Sequence, residues 1–282
     1  MNAKPPAAGF RERHHEAIWS TLWPVRMWFT KFPIHRGKGL LLKYVILPAL
    51  PPEPASFPYR LPHGETIDLR YREDLGTQVL FHGGYEDREI AELCKYIPQD
   101  GTVLDVGANI GLSALEFSRF AGPEGRVIAF EPHPDTAARL RANLDRNNAA
   151  NVKIVQSAVG ATTGTITFNE SSDATLSSAS VIPRNLVRSF DVPLTTIDLA
   201  WAEAGKPLVS VLKIDVEGGE LQVLQGAREL LARDHPAILL EAWGAQQLDP
   251  IHSLLSSAGY SQHQPDGFEP RNYLYVATGS QI

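Results

Sequence analysis

From Gly101 onward the chain repeats one pattern: a short apolar run, a turn, then a stretch with apolar residues at helical spacing. "TVLDV", "RVIAFE", "NVKIVQ", "VSVLKIDV", "AILLEAW" and "NYLYVA" read as strands. Residues 112–120, 134–147, 220–232 and 250–258 read as helices between or beside them. Strands that are apolar on both faces, separated by helices, fit few architectures. They predict an α/β fold built on a mostly parallel sheet covered on both sides. "GTITF" reads as edge or hairpin material, and the polar stretch 169–180 as a loop.

The first hundred residues have a different texture. Residues 11–48 read as one or two amphipathic helices, followed by a proline-rich joint, "ALPPEPASFPYRLP". Alternation in "TIDLRYRED" and "TQVLFH" predicts a hairpin, and a helix is expected from Asp87 to Tyr96. The expected division is an N-terminal extension over 1–64 and a catalytic α/β domain over 65–282.

Charge follows the same division. Residues 1–50 hold eight Lys and Arg against two Glu, out of 26 basic and 32 acidic residues in the chain. The body is therefore acidic, which argues against nucleic acid as a partner, because neutralising phosphates needs clustered cations. A single cysteine, Cys94, excludes an intramolecular disulfide and a cysteine-rich metal site. His14, His15, His133, His235, His252 and His263 lack metal-ligand spacing, so no metal is expected. No secretory signal is recognisable, and "LLLKYVILPAL" is about half a bilayer span and carries Lys43. A cytoplasmic location is expected.

The turn after the first strand of the α/β region carries the first chemical signal. In "TVLDVGANIGLSALEF", Asp105 ends the strand, and Gly107 and Gly111 open the turn for a sharp bend and a close ligand. The spacing G-x-x-x-G is not the G-x-G-x-x-G of a dinucleotide site. A carboxylate there repels a pyrophosphate but suits a cationic ligand, and S-adenosylmethionine carries an ammonium and a sulfonium. "RVIAFEP" places Glu131 twenty residues beyond Gly111, where an acid can accept both ribose hydroxyls. Alone, either acid reads as easily as a turn cap or a solvated carboxylate. Their joint spacing favours the cofactor.

"VLDVGANIGLSALEFSRFAGPEGRVIAFEPHPDTAARLRANLDRNN", followed by "KIDVEGGELQVLQGARELL" and "AILLEAW", resembles the FkbM family of S-adenosylmethionine-dependent methyltransferases. The resemblance covers roughly residues 80–280. It implies a Rossmann-like class I methyltransferase sheet, seven-stranded with an antiparallel last strand, and O-methylation of a sugar, glycan or natural product. It also implies cofactor roles for Asp105, Gly107, Asn109, Gly111 and Glu131, with Ser157 and Ala158 of "QSAVG" beside the adenine. "GGYEDREI" resembles the family's Tyr-Glu element, so Tyr85 and Glu86 are expected to close over the cofactor. Leu112-Ser113-Ala114 departs from the family, where an aromatic often follows the glycine.

"LKIDVEGGE" lies where the fourth strand of the pattern ends. Methyl transfer is an in-line displacement, so positioning dominates and a base assists the hydroxyl. Asp215 and Glu217 are the candidate bases, with His82 an alternative. Glu217 reads equally as a helix cap, and Glu220 reads as one. Glu241 either lines the acceptor pocket or pairs with Lys213 or an Arg. The dinucleotide dehydrogenase fingerprint, the Asn/Asp-Pro-Pro-aromatic turn of N-methyltransferases and the D-x-D of glycosyltransferases do not occur. A non-enzymatic interaction module is the other class to weigh. Residues 169–192 and "QHQPDGFEPRN" are expected to shape the acceptor pocket; oligomeric state is not readable. Residues 11–43, with Trp19, Trp23, Trp28, Phe29 and Phe32 among seven cations, suit either packing on the domain or peripheral contact with the inner membrane surface.

Overall fold

The computed structural model describes residues 41–46, 48, 57–61, 63–70, 73–79, 84–171 and 186–279. The chain divides into two compact units. The larger takes in Arg60–Ile67, Glu86–Asp173 and Ser178–Ile282; the smaller takes in Met1–Tyr59, Asp68–Tyr85 and Ala174–Ser177.

β1 (Phe57–Arg60) and β2 (Thr66–Leu69) form a two-stranded sheet. The hairpin was expected one strand later. Its first arm instead arises inside the proline-rich joint, where a two-stranded sheet leaves edges that tolerate Pro58. The expected second arm begins as a helical turn, Asp74–Thr77, in which a Cβ on Gly76 would stand 2.0 Å from the Arg70 carbonyl. His82 and most of residues 11–43 lie outside the described residues.

After helix α1 (Asp87–Cys94) the α/β pattern begins, with β3 (Thr102–Val106), α2 (Leu112–Ala121), β4 (Arg126–Phe130), α3 (Pro134–Arg146) and β5 (Val152–Val155). Next come β6 (Ala158–Val159), β7 (Gly164–Ser171) and β8 (Leu186–Thr195), which form a separate sheet in the order β6-β8-β7. The rest is α4 (Ile197–Glu203), β9 (Val209–Ile214), α5 (Glu220–Gln225), α6 (Arg228–Asp234), β10 (Ala237–Glu241), α7 (Ala245–Ser257), β11 (Tyr260–His263) and β12 (Asn272–Ala277). The main sheet has seven strands in the order β11-β12-β10-β9-β3-β4-β5. β12 alone runs against the others, being antiparallel to both β10 and β11. This is the α/β class I methyltransferase sheet that was expected.

Alternation assigns the two faces. Leu104, Val106, Ile128, Phe130, Leu212 and Ile214 pack on one side with Trp201, Leu224, Leu230 and Ile251. Val103, Val127, Val211, Leu239 and Val276 pack on the other with Ile90, Leu93 and Phe117. Period-two alternation with apolar residues in both registers is what a sheet buried on both faces requires.

Three local features depart from the sequence reading. The helix expected over 220–232 breaks into α5 and α6, because a Cβ at Gly226 would stand 2.1 Å from the Gly160 carbonyl. The Gly226 carbonyl accepts from the Asp198 amide (2.9 Å), and the Asp198 carboxylate accepts the Glu229 and Leu230 amides (both 3.0 Å), capping α6. Residues 169–171 continue β7 rather than starting a loop, and residues 186–192 belong to β8. α7 begins at Ala245, five residues before Pro250, at which the helix was expected to start.

Candidate active site

Chain order reverses direction in the sheet at the β3–β9 pair: β4 and β5 lie to one side of β3, while β9 and β10 lie to the other. In parallel sheets the ligand crevice opens at the carboxyl ends of the strands at such a point. Asp105, Glu131 and Asp215 all stand at those ends, on β3, β4 and β9.

The turn between β3 and α2 is shaped by three left-handed residues, Gly107 (φ 86°), Asn109 (φ 50°) and Gly111 (φ 99°). Asn tolerates this region better than other residues with a Cβ. The two glycines serve the protein's own packing. A Cβ on Gly107 would stand 1.8 Å from the Asp215 carbonyl oxygen, and one on Gly111 would stand 2.6 Å from Leu140 Cδ1. Gly107 thus brings the turn against the end of β9, beside the candidate base.

Asp105 is fully buried, and its Oδ2 accepts from Ser113 Oγ at 2.8 Å, while Oδ1 has no hydrogen-bond partner among the described residues. Burial raises its pKa, and the nearby Lys213 cation and the Ser113 hydrogen bond oppose that rise. What Asp105 presents to the crevice is negative potential rather than surface. Ser113, in the first turn of α2, is the residue that orients it.

Lys213 was missed as a site residue. It pairs in register with Asp105 across β3 and β9, is 3% exposed, and lies 3.1 Å from Asp215 Oδ2 and 3.6 Å from Glu86 Oε2. Burial alone would lower its pKa, but Asp215, Glu86 and Asp105 outweigh that and hold it above the ordinary lysine value. The signal was present in "VSVLKIDV": a lysine inside an apolar strand is nearly always paired. Asn272, at the start of β12, completes the cluster by donating from Nδ2 to Glu86 Oε1 at 3.1 Å.

Glu86 caps α1 in the left-handed region (φ 51°). Its burial and the Asp215 charge raise the carboxyl to about 7, against the lowering effect of Lys213. Tyr85 precedes it as the last residue of that stretch of the smaller unit.

Glu131 is clamped. Oε2 accepts the Asn109 amide at 3.0 Å and Oε1 accepts the His133 amide at 2.9 Å. The left-handed turn at Asn109 thereby fixes the acid on the neighbouring strand, and His133 also caps α3 through Nδ1. Burial pushes Glu131 up to about 7, partly offset by those two amides. Each oxygen keeps a second lone pair for a diol.

Beyond β9, Glu217 is exposed and left-handed (φ 57°). Glu220 is buried and accepts the Gly218 amide at 2.9 Å, so it ties down the loop before α5 and does not cap the helix, whose N-cap residue is Gly219. Glu241 lies 3.6 Å from Arg271 Nε, so its cationic partner is that arginine; burial, then the Asp215 and Glu217 charges, push it up to about 7. Ser157 follows the edge strand β5, and Ala158 is buried in β6 of the smaller sheet. The structure thus gathers Glu86, Asp105 and Asp215 around Lys213, and joins Glu131 to Asn109. Ser157, after β5, and Ala158, in β6, lie outside that cluster.

This donor set fits S-adenosylmethionine. Carboxyl groups outnumber cations, the buried Asp105 Oδ1 is unpaired, and Glu131 is held rigid by backbone at the neighbouring strand end. An excess of buried negative charge is stabilised by a cationic ligand and opposes a pyrophosphate.

Residues 105–261 match the Methyltransferase FkbM domain. Methyltransferase sdnD of Sordaria araneosa is 27% identical over 195 residues, 58% of this chain and 75% of that protein. Hexuronic acid methyltransferase AglP of Haloferax volcanii is 30% identical over 176 residues, 62% of this chain and 70% of that protein. The 31-O-demethyl-FK506 methyltransferase FkbM of Streptomyces tacrolimicus is 31% identical over 207 residues, 60% of this chain and 75% of that protein. Among solved structures, a methyltransferase FkbM from Methylobacillus flagellatus KT superposes with a TM-score of 0.43 at 18% identity, over 74% of this chain and 62% of that one. The chain belongs to the FkbM family of S-adenosylmethionine-dependent methyltransferases.

Proposed function

We propose that the protein methylates a hydroxyl group of a sugar, glycan or natural-product acceptor, with Asp215 as the base. The observation that carries this reading is the convergence of Asp105, Glu131 and Asp215 at the ends of three neighbouring strands, with Asp105 and Asp215 beside one buried lysine. The names of the relatives from Haloferax and Streptomyces support a hydroxyl-bearing acceptor of this class.

When bound, S-adenosylmethionine supplies a methyl group on a sulfonium that a nucleophile can attack in line. The chain's residues do the rest. Glu131 holds the ribose hydroxyls, with Asn109 and His133 keeping its carboxylate in place. Glu86 and Asp105 favour the cationic cofactor over its neutral product. Asp215 takes the acceptor's hydroxyl proton as the oxygen–carbon bond forms, and Lys213, on Oδ2, fixes the direction of that carboxylate. Gly107, Asn109 and Gly111 line the cofactor, Ser157 and Ala158 flank its adenine, and Glu217 stands at the acceptor side.

Asp215→Asn tests this role. S-adenosylmethionine affinity by calorimetry should stay within a few-fold while turnover falls by about 10²-fold or more, the scale of general-base assistance. Labelled methyl transfer to a panel of glycans and hydroxylated natural products supplies the rate. Near-normal turnover across pH would remove Asp215 from the role and leave Glu217 or His82.

The extension spans residues 1–64 and the methyltransferase domain 65–282, and the protein works in the cytoplasm. Among the described residues no helix is long and apolar enough to cross a membrane. The π-helical turn Leu42–Ile46 exposes Tyr44 and Val45 by 67% and 56%. That apolar surface, which follows the cations and tryptophans of 11–43 in the sequence, supports peripheral contact with an anionic membrane and a lipid-linked acceptor.

A further inference from the structure

Trp243 stands two residues beyond the end of β10 and is 54% exposed, whereas Trp201 is 1% exposed. An indole that large is normally covered. Trp243 is also held in place. Its amide donates to Gln247 Oε1 at 2.6 Å, and the preceding Ala242 amide donates to the Arg271 carbonyl at 2.9 Å. The Arg271 guanidinium lies 3.6 Å from the indole centroid while its Nε faces Glu241 at 3.6 Å. A stacked, paired guanidinium is an ordered donor, not a loose surface charge.

The indole is tied to the catalytic turn. A Cβ on Gly218 would lie 3.2 Å from Gln247 Nε2, so the side chain that anchors Trp243 rests against the glycine three residues after Asp215. Glu241 lies in the field of both Asp215 and Glu217. The loop bearing Arg271 is fastened from the other side, where the Glu269 amide donates to Glu89 Oε1 at 2.6 Å.

We propose that Trp243 and Arg271 form the acceptor platform, on which a pyranose ring lies with a hydroxyl directed to Asp215. This rests on the reading of the site as a hydroxyl methyltransferase and names its acceptor as a sugar ring. The choice follows from the chemistry of the rim. A pyranose has an apolar C–H face, which suits an open indole, and a belt of hydroxyls, which suits a guanidinium, a carboxyl and an amide. An alkyl or polyketide chain would require an apolar channel, whereas the described contacts of Trp243 are polar: Gln247, Arg271 and, through Arg271, Glu241. Arg271 adds a preference for a ring carrying a carboxylate.

The test is an indole-¹⁵N NMR titration of the full chain saturated with S-adenosylhomocysteine, with Trp243 assigned by its loss in Trp243→Phe. The probes are methyl glucopyranoside, glucuronic acid and, as the apolar control, octanol. Both pyranoses should shift the Trp243 signal saturably, and Trp243→Ala should weaken them by at least about tenfold. Arg271→Leu should weaken glucuronic acid more than the neutral glycoside. S-adenosylhomocysteine affinity should stay within about twofold in both variants, which shows that they remain folded. A Trp243 signal unmoved by either sugar in cofactor-saturated protein, or moved by octanol alone, overturns the platform. Failure of S-adenosylhomocysteine to bind the unaltered chain strikes the methyltransferase reading instead, and the sugar shift is then read in its absence.

Discussion

Lys213 and Asp105 lie side by side in register across β3 and β9, in a sheet whose faces are otherwise packed with apolar side chains. This pairing gives the crevice its electrostatic character. One ammonium group is shared by Asp105, Asp215 and Glu86, so the cluster is short of positive charge before any ligand arrives. The same bonds join three elements: β9 through Lys213 and Asp215, the start of α1 through Glu86, and β12 through Asn272. Cofactor binding and the order of the α1 entrance are therefore expected to be coupled.

Removing the lysine should be severe. Lys213→Met leaves buried carboxylates without their cation, and the expected loss is about 3–5 kcal/mol of folding stability. Adding Glu86→Gln should restore part of that loss, because one of the stranded charges is then gone. Urea unfolding of the two single variants and the double variant measures this coupling. Strict additivity would mean that Lys213 and Glu86 do not interact in solution.

Much of this site was legible in the sequence. Asp105, Glu131 and Asp215 each end an apolar run, and strand ends are where a parallel sheet exposes its chemistry. Lys213 was harder to read because its side chain acts inward, and an alternating strand gives no sign of which acid it meets. The glycines were legible as turn formers, but their close neighbours, the Asp215 carbonyl and Leu140, come from distant parts of the chain. The break at Gly226 depends on Gly160, and β1 depends on a partner beyond a proline-rich run. Such contacts carry no local periodicity. Trp243 was passed over because it reads as the apolar end of the strand "AILLEAW", whereas β10 stops at Glu241.

Glu131 offers a clean test of cofactor recognition. Both of its oxygens accept backbone amides, and Glu131→Gln replaces one acceptor with a donor that opposes an N–H. S-adenosylmethionine affinity should fall by about 10- to 100-fold, the equivalent of one or two lost hydrogen bonds to a charged group. Calorimetry reads the change, and the far-ultraviolet dichroism should stay unaltered. Unchanged affinity would release Glu131 from the ribose role.

The N-terminal segment is tested on anionic vesicles. Flotation of the full chain should fall as salt rises, and substitution of Trp19, Trp23 and Trp28 by serine should abolish it. Each basic residue near the surface is worth about 1 kcal/mol, and the tryptophans supply the interfacial anchor. Equal and negligible flotation of both proteins would remove the membrane role and leave the aromatics to packing.

The site also predicts an unusual pH response. Glu86, Glu131 and Glu241 are each raised from 4.5 to about 7, with burial the largest cause in all three. A carboxyl whose pKa is higher folded than unfolded favours the folded state while it is protonated. That contribution is complete below about 4.5 and is lost as pH rises through about 7. These three groups should therefore make the cofactor-free protein less stable between about pH 5 and about pH 8. S-adenosylmethionine acts in the opposite direction, because its positive charge favours the ionised carboxylates. Its binding should release protons, and the thermal shift it produces should grow across the same window. Glu131→Gln removes one titrating group and should flatten both profiles. The checks are urea midpoints of the free protein and melting temperatures with and without S-adenosylmethionine, each measured for both proteins. Identical slopes in the variant would show that Glu131 does not titrate in this range.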